Sequence, residues 1–172
     1  MRSLFFLLFL LHYDCFSQNF ISKTGEITFF SYAPIEDIKA VNEKVSAAFN
    51  SQTNDIVFVL EITDFNFKKK LMQEHFNENY LESDVYPTSS FEGKVYNIDD
   101  SLVTVKVILT IHGVSNEIIA DGSFNLLDNT IQLSSSFMIR LEDYNVQIPK
   151  IVMYKIAEEI LVNINMTLIK TE

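Results

Sequence analysis

Cysteine, tryptophan, glycine, proline and positive charge are all scarce in this chain of 172 residues. One cysteine cannot form a disulfide within the chain, so the fold has to be stabilised by its hydrophobic core. Four scattered glycines exclude a glycine-rich loop that could cradle a phosphate. With 13 basic and 23 acidic residues the net charge is −10, so we expect repulsion from nucleic acid and from anionic lipid surfaces, and nucleic-acid binding is not expected.

The first 17 residues are organised like a secretory signal peptide. Arg2 supplies a positive charge, Leu4–Leu11 is a short apolar run, and Cys15 and Ser17 are small residues ahead of a predicted cleavage before Gln18. The apolar run is too short for a permanent transmembrane anchor, so no stable membrane insertion is expected. We expect residues 18–172 to form one periplasmic or secreted domain.

A second interpretation makes Cys15 the acceptor of a lipid anchor, because it also follows an apolar run. Tyr13 and Asp14 stand where such a site has small residues, which weakens this interpretation. Cleavage after Ser17 would remove Arg2 and Asp14 together, so the net charge would remain −10.

Alternation of apolar and polar residues with a period of two dominates the rest of the sequence, and this period is typical of β-strands. The clearest case is Ser101–Gly113, where every second residue from Val103 to Ile111 is aliphatic and only Ile108 breaks the pattern. Eight strands are predicted, over 25–33, 44–51, 55–63, 88–98, 101–113, 116–126, 130–140 and 159–170. Pro34, Pro87 and Pro149 all fall between them.

Each predicted strand has one apolar face, and one helix cannot cover the apolar face of an open sheet of eight strands. Closing the sheet buries that face and removes its edges. We therefore predict an all-β fold, an eight-stranded antiparallel up-and-down barrel with a short helix between strands that caps one end.

The pattern also predicts which side chains point into the barrel. They include large aromatic residues and several small ones, and the small ones leave room for a ligand. Periodicity does not distinguish a hollow barrel from a filled one, although close packing is the usual condition of a protein interior. The predicted interior positions are Phe29, Phe49, Phe58, Leu60, Phe91, Gly93, Val105, Val107, Ala120, Phe124, Phe137 and Ile164.

Two segments depart from the strand period. Residues 68–80 place Leu71, Met72, His75 and Phe76 at helical spacing, which predicts a helix across the barrel mouth. Residues 142–157 form a long connection, predicted to be a loop with a short helical turn over an opening.

Three stretches together resemble the YceI-like family. They are LMQEHFNENYLESD at 71–84, followed by Tyr86-Pro87 and FEG at 91–93; TIHGVS at 110–115; and YNVQIP at 144–149. The first stretch is specific, the other two are weak by themselves, and the resemblance runs in the same order across nearly the whole chain after residue 17.

The resemblance implies an exported, lipocalin-like barrel that binds a polyisoprenoid or a similar long-chain apolar lipid, as a carrier or by sequestration. The interior positions and the mouth helix would then form the ligand site. No catalytic constellation is shared within the family, so the expected protein is not an enzyme and has no cofactor apart from a bound isoprenoid lipid. The alternative is a non-catalytic exported binding or scaffold module with a filled core that acts through its rim. A homodimer is compatible with either hypothesis.

The sequence gives little support for a catalytic site or a metal-binding site. His75 and Glu78 share a predicted helix face, but zinc usually takes three or four protein ligands, so no metal site is predicted. Ser115 lies outside any nucleophile elbow and is interpreted as a turn residue. The run Lys68–Lys70 is interpreted as the solvated start of the helix; the alternative is that it meets a lipid diphosphate or a membrane headgroup at the mouth.

Overall fold

The computed structural model describes residues 19–32, 37–99, 101–148 and 157–171, and the predicted signal peptide at 1–17 lies outside them. Ten strands form one sheet. They are β1 (Asn19–Ser31), β2 (Ile38–Asn42), β3 (Ser46–Asn50), β4 (Asp55–Glu61), β5 (Asn66–Phe67), β6 (Thr88–Asp99), β7 (Leu102–Ile111), β8 (Val114–Leu127), β9 (Thr130–Arg140) and β10 (Glu159–Lys170). Helix α1 (Lys70–His75) continues into a π-helical turn, Phe76–Tyr80.

The sheet closes on itself because β1 pairs with β10 as well as with β3. Around the barrel the order is β1, β3, β4, β6, β7, β8, β9 and β10, and every pairing is antiparallel. The predicted all-β, eight-stranded up-and-down barrel with one short helix is confirmed.

The short strand β2 was missing from the prediction. It pairs with the second half of β1, runs in the same direction as β3, and is separated from β3 by residues 43–45. At this break the amide of fully buried Asn42 donates to the Glu61 carbonyl at 2.9 Å, and its Oδ1 accepts from the Lys44 N–H at 2.9 Å. β2 and β3 are therefore one strand of the barrel, interrupted where a polar side chain replaces sheet hydrogen bonds.

Strand β1 is longer than predicted and begins at Asn19 rather than Gly25. Its register against β10 shifts between Ser22 and Thr24, so a bulge interrupts the alternation of faces. A test based on strict period two fails at such a bulge, which is why residues 19–24 were not predicted as strand.

Most of the predicted interior residues are buried, and Phe29, Gly93 and Phe137 are half-buried. On β7, Val103, Val105, Val107 and Leu109 are buried, whereas Ile108 is 43% exposed on the outer face. The buried side chains of the strands form a single hydrophobic core, together with Phe65, Leu81, Tyr144 and Val146 from the connections.

The turn between β7 and β8 consists of His112 and Gly113, which both have positive φ, at 51° and 72°. Two-residue turns of this kind match the twist of a hairpin. A side chain at Gly113 would also meet the Tyr86 ring, since an added Cβ would lie 2.5 Å from Tyr86 Cε1.

The helix is shorter than the predicted 68–80. Lys69 has an extended backbone, so α1 begins at Lys70, and no side chain caps it. In the connection after β9, residues Leu141–Tyr144 form the predicted helical turn, while residues 149–156 lie outside the described part of the chain. No helix among the described residues combines the length and the hydropathy needed to cross a bilayer.

Candidate functional site: an apolar cavity at one end of the barrel

A cavity of about 470 Å³ occupies the end of the barrel next to α1. This volume lies within the range of roughly 300–1,000 Å³ that is usual for small-molecule sites. Its walls come from the ends of the strands that meet there, such as Leu109 and Ile111 of β7 and Ile160, Val162 and Ile164 of β10. Most of the lining residues are apolar, so the space suits a hydrocarbon rather than a polar metabolite; the polar ones are Ser31, Lys69, His75, Ser89 and Ser90.

Four phenylalanines pack together on one side of the cavity. Phe76, in the π-helical turn, lies 5.2 Å from Phe29, 5.6 Å from Phe65 and 5.0 Å from Phe67 between ring centroids. Phe29 in turn contacts Phe65 and Phe67 at 5.3 and 5.5 Å. These edge-on and offset contacts attach the helical segment to the barrel wall.

The opposite end of the barrel is filled by side chains. Phe49 lies between Phe20 and Phe124, with ring centroids 6.3 and 5.1 Å away. Ile131 and Leu168 are almost fully buried beside them. The barrel therefore has a packed end and a hollow end.

The predicted interior residues divide between these two ends. Those on the cavity wall are Phe29, Phe58, Leu60, Phe91, Phe137 and Ile164. Those away from the cavity are Phe49, Gly93, Val105, Val107, Ala120 and Phe124. Of the second group, all but Gly93 are buried core residues.

Gly93 and Ala120 were predicted to keep a tunnel open, but the structure places neither on the cavity wall. An added Cβ at Gly93 would lie 2.2 Å from the Lys106 carbonyl oxygen, so glycine there permits a close approach of β6 to β7. Ala120 is 3% exposed within the packed end.

The four residues predicted at the barrel mouth, Leu71, Met72, His75 and Phe76, all line the cavity. Several further wall residues come from connections that the strand pattern did not assign. Phe65 precedes the short strand β5 and Phe67 ends it, Tyr80 and Leu81 follow α1, and Leu141 and Val146 precede β10. The alternation in Phe65-Asn66-Phe67 was the one sequence feature that could have indicated an inward pair.

A family model for the YceI-like domain matches residues 19–168, which is most of the chain. The chain belongs to the YceI-like family. No curated protein matches it in sequence.

Solved structures share the fold. BcnA of Burkholderia cenocepacia has a TM-score of 0.75 and 14% identity, over 83% of this chain and 95% of that one. A polyisoprenoid binding domain from Saccharophagus degradans, implicated in plant cell wall breakdown, also has a TM-score of 0.75, with 13% identity over 90% and 99% of the two chains. The YceI protein of Campylobacter jejuni has a TM-score of 0.68 and 19% identity, over 82% and 89%.

In this YceI-like barrel, His112 joins three segments at the rim of the cavity. Its Nε2 lies 2.8 Å from Glu82 Oε2, and its Nδ1 lies 3.3 Å from the Tyr144 carbonyl oxygen. The Tyr86 ring packs edge-on against the imidazole at 4.6 Å. A neutral imidazole has one N–H and donates to one of the two acceptors, whereas a protonated one donates to both.

The pKa values of two tyrosine hydroxyls, those of Tyr80 and Tyr144, are raised. Burial raises the pKa of Tyr80, which lines the cavity. Burial is also the main reason that the pKa of Tyr144 is raised, with the nearby Asp143 adding to the effect and a hydrogen bond from Asn116 opposing it. Neutral hydroxyls are compatible with an apolar ligand.

Within the described ranges, the Ser115 hydroxyl and the His112 ring do not pair with each other. Ser115 Oγ is hydrogen-bonded to Thr110 Oγ at 2.8 Å, and the partners of the His112 ring are Glu82 and the Tyr144 carbonyl. Among the same residues, no three His, Cys, Asp or Glu side chains are grouped so that they could hold a metal ion.

Proposed function

We propose that this protein binds a long-chain apolar lipid, such as a polyisoprenoid, in the hollow end of the barrel, and that it is exported and acts as a carrier or by sequestration rather than as an enzyme. The observation that carries the proposal is the cavity of about 470 Å³ with a predominantly apolar lining. Membership of the YceI-like family and the similarity to a polyisoprenoid binding domain support the choice of ligand class.

The size of the cavity sets the length of chain that it can enclose. Each methylene that a ligand buries contributes about 0.8 kcal/mol, so a chain of about ten contributes on the order of 8 kcal/mol before the costs of association. A longer lipid would extend out through the mouth.

Organic extraction of the purified protein, followed by mass spectrometry, tests the proposal. We expect a lipid with at least one long hydrocarbon chain in near-stoichiometric amount. An extract without lipid, together with no displacement of a fluorescent fatty-acid probe by added polyprenol, would contradict it. That result would favour a module that acts through its rim.

A further inference from the structure

The mouth of the cavity is bordered by an exposed apolar side chain. Leu71 lines the cavity, yet 61% of its surface is accessible to solvent. Helix α1 buries none of its residues, although it lies directly over the apolar interior. The apolar lining of the cavity therefore continues onto the outer surface at this point.

Positive charge is concentrated beside Leu71. Lys68, Lys69 and Lys70 precede it and are all exposed. Four other basic residues are paired with carboxylates: Lys44 with Asp64, Lys94 with Asp55, Lys106 with Glu117 and Arg140 with Glu142. Within the described ranges, Lys68 and Lys70 have no such partner, and neither do Lys23, Lys39 and Lys170 elsewhere on the surface.

An exposed leucine flanked by lysines has the chemistry of a membrane-surface contact. The leucine side chain inserts among acyl chains, while the lysine stems lie along the apolar surface and their ammonium groups reach lipid phosphates. Lysines next to an anionic membrane surface add attraction that salt screens. Glu74 lies four residues after Lys70 on the same face of α1, and Glu78 lies in the π-helical turn that follows.

We propose that this end of the barrel docks on anionic lipid bilayers through Lys68, Lys70 and Leu71, so that an apolar ligand moves between the bilayer and the cavity without crossing water. The inference rests on the proposed lipid-binding function, because a docking mouth is useful only if the cavity holds a lipid. A bilayer is the partner that supplies both anionic headgroups and an apolar layer, and a long-chain lipid has almost no free concentration in water.

The packed end of the barrel provides a matched control. It also carries exposed apolar residues, Leu126 and Leu127, and two exposed lysines, Lys23 and Lys170. Lys23→Glu combined with Lys170→Glu changes the net charge by the same amount as Lys68→Glu combined with Lys70→Glu, but at the end without a cavity.

The experiment is vesicle cosedimentation of the natively processed protein. Vesicles are equimolar phosphatidylglycerol and phosphatidylcholine, with pure phosphatidylcholine vesicles for comparison. Lys68→Glu/Lys70→Glu should weaken association with the anionic vesicles by roughly tenfold or more, and Leu71→Ser should weaken it by several-fold. The Lys23→Glu/Lys170→Glu control should stay within about twofold of the unsubstituted protein.

Equal association of the mouth variants and the unsubstituted protein would overturn the proposal, as would an equal loss in the control. Organic extraction of each variant keeps the two proposals apart. Lipid recovered from a protein that does not dock through its mouth overturns only the docking. If the protein docks through its mouth but yields no lipid on extraction, the result supports the proposed docking surface and contradicts the lipid-binding function.

Discussion

On β7, Val105 and Leu109 both point into the barrel four residues apart, but their surroundings differ. Leu109 lies on the cavity wall, whereas Val105 pairs with Ala120 in the packed end. Extra side-chain volume has room at the first position and none at the second. The effect of a substitution thus depends on how far along the strand it lies as well as on the face it occupies.

A valine-to-phenylalanine substitution made once in the hollow end and once in the packed end tests this difference in surroundings. Val162→Phe adds a ring to the cavity wall on β10, and Val105→Phe adds one to the packed end. We expect Val162→Phe to reduce binding of an apolar probe with little change in stability. Val105→Phe should lower the free energy of unfolding by about 1–3 kcal/mol through overpacking and leave the cavity intact. Probe titration and urea unfolding of both variants check this, and a similar loss of stability in the two would contradict a hollow end.

Neighbouring residues on β9 test the assignment of faces. Ile131 is 1% exposed inside the barrel, while Gln132 next to it faces solvent with no acidic residue among its cross-strand partners, Asn125 and Thr167. Ile131→Asp buries an unpaired carboxylate and should prevent stable folding, whereas Gln132→Asp should change stability by about 0.5 kcal/mol or less. Thermal unfolding and soluble yield measure the difference, and comparable tolerance of both changes would mean that the register is wrong.

The sequence predicted faces reliably but did not predict depth within the barrel. The period of two places Gly93 and Ala120 on the inner side of the sheet, and it places Phe58 and Phe91 there as well. Whether an inward residue packs against others or borders an empty space depends on neighbours across several strands. That information is absent from the local pattern, which is why only half of the predicted interior residues lie on the cavity wall.

Among the structural elements, regular strands were predictable and interrupted ones were not. β7 and β9 alternate along their length, with Ile108 the exception on β7, whereas the bulge in β1 and the buried Asn42 at the end of β2 break the period. The connections were harder still, since Phe65 and Leu81 reach the cavity from segments that carry no long repeat. Their positions depend on tertiary contacts, such as the ring cluster around Phe76.

His112 connects three of these segments, so its loss should loosen the mouth as a unit. His112→Ala removes the contacts to Glu82 and to the Tyr144 carbonyl and withdraws a ring that packs on Tyr86. We expect faster amide hydrogen exchange in residues 81–86 and 141–146, and unchanged protection at the packed end. Ser115→Ala, which removes only an exposed hydroxyl pair in the adjacent hairpin, is the control. Unchanged exchange at the mouth in His112→Ala would show that the three segments are held independently.

In the closed barrel as a whole, the packed end supplies the stabilising core and the hollow end supplies the space for a ligand. Its packed end provides buried apolar surface without any help from a disulfide, while its hollow end leaves side chains such as Phe137 and Val162 only partly buried. Both ends belong to one continuous sheet, so they should unfold together. A ligand in the hollow end then stabilises the entire molecule, although it contacts only half of the interior.

This coupling predicts a melting temperature that depends on ligand concentration. A ligand that binds only the folded protein adds about 4 kcal/mol at a thousand times its Kd, which raises the melting temperature of a domain of this size by roughly 8–16 °C. We expect the delipidated protein to recover this increment when a polyprenol or fatty alcohol is added, as measured by calorimetry. Val105→Phe should melt at a lower temperature but show the same increment, because its cavity is intact.

Val162→Phe should lose most of the increment, because the added ring occupies the space that the ligand needs. An increment that is the same in Val162→Phe as in the unsubstituted protein would place the ligand outside the cavity, and an absence of any increment would contradict lipid binding.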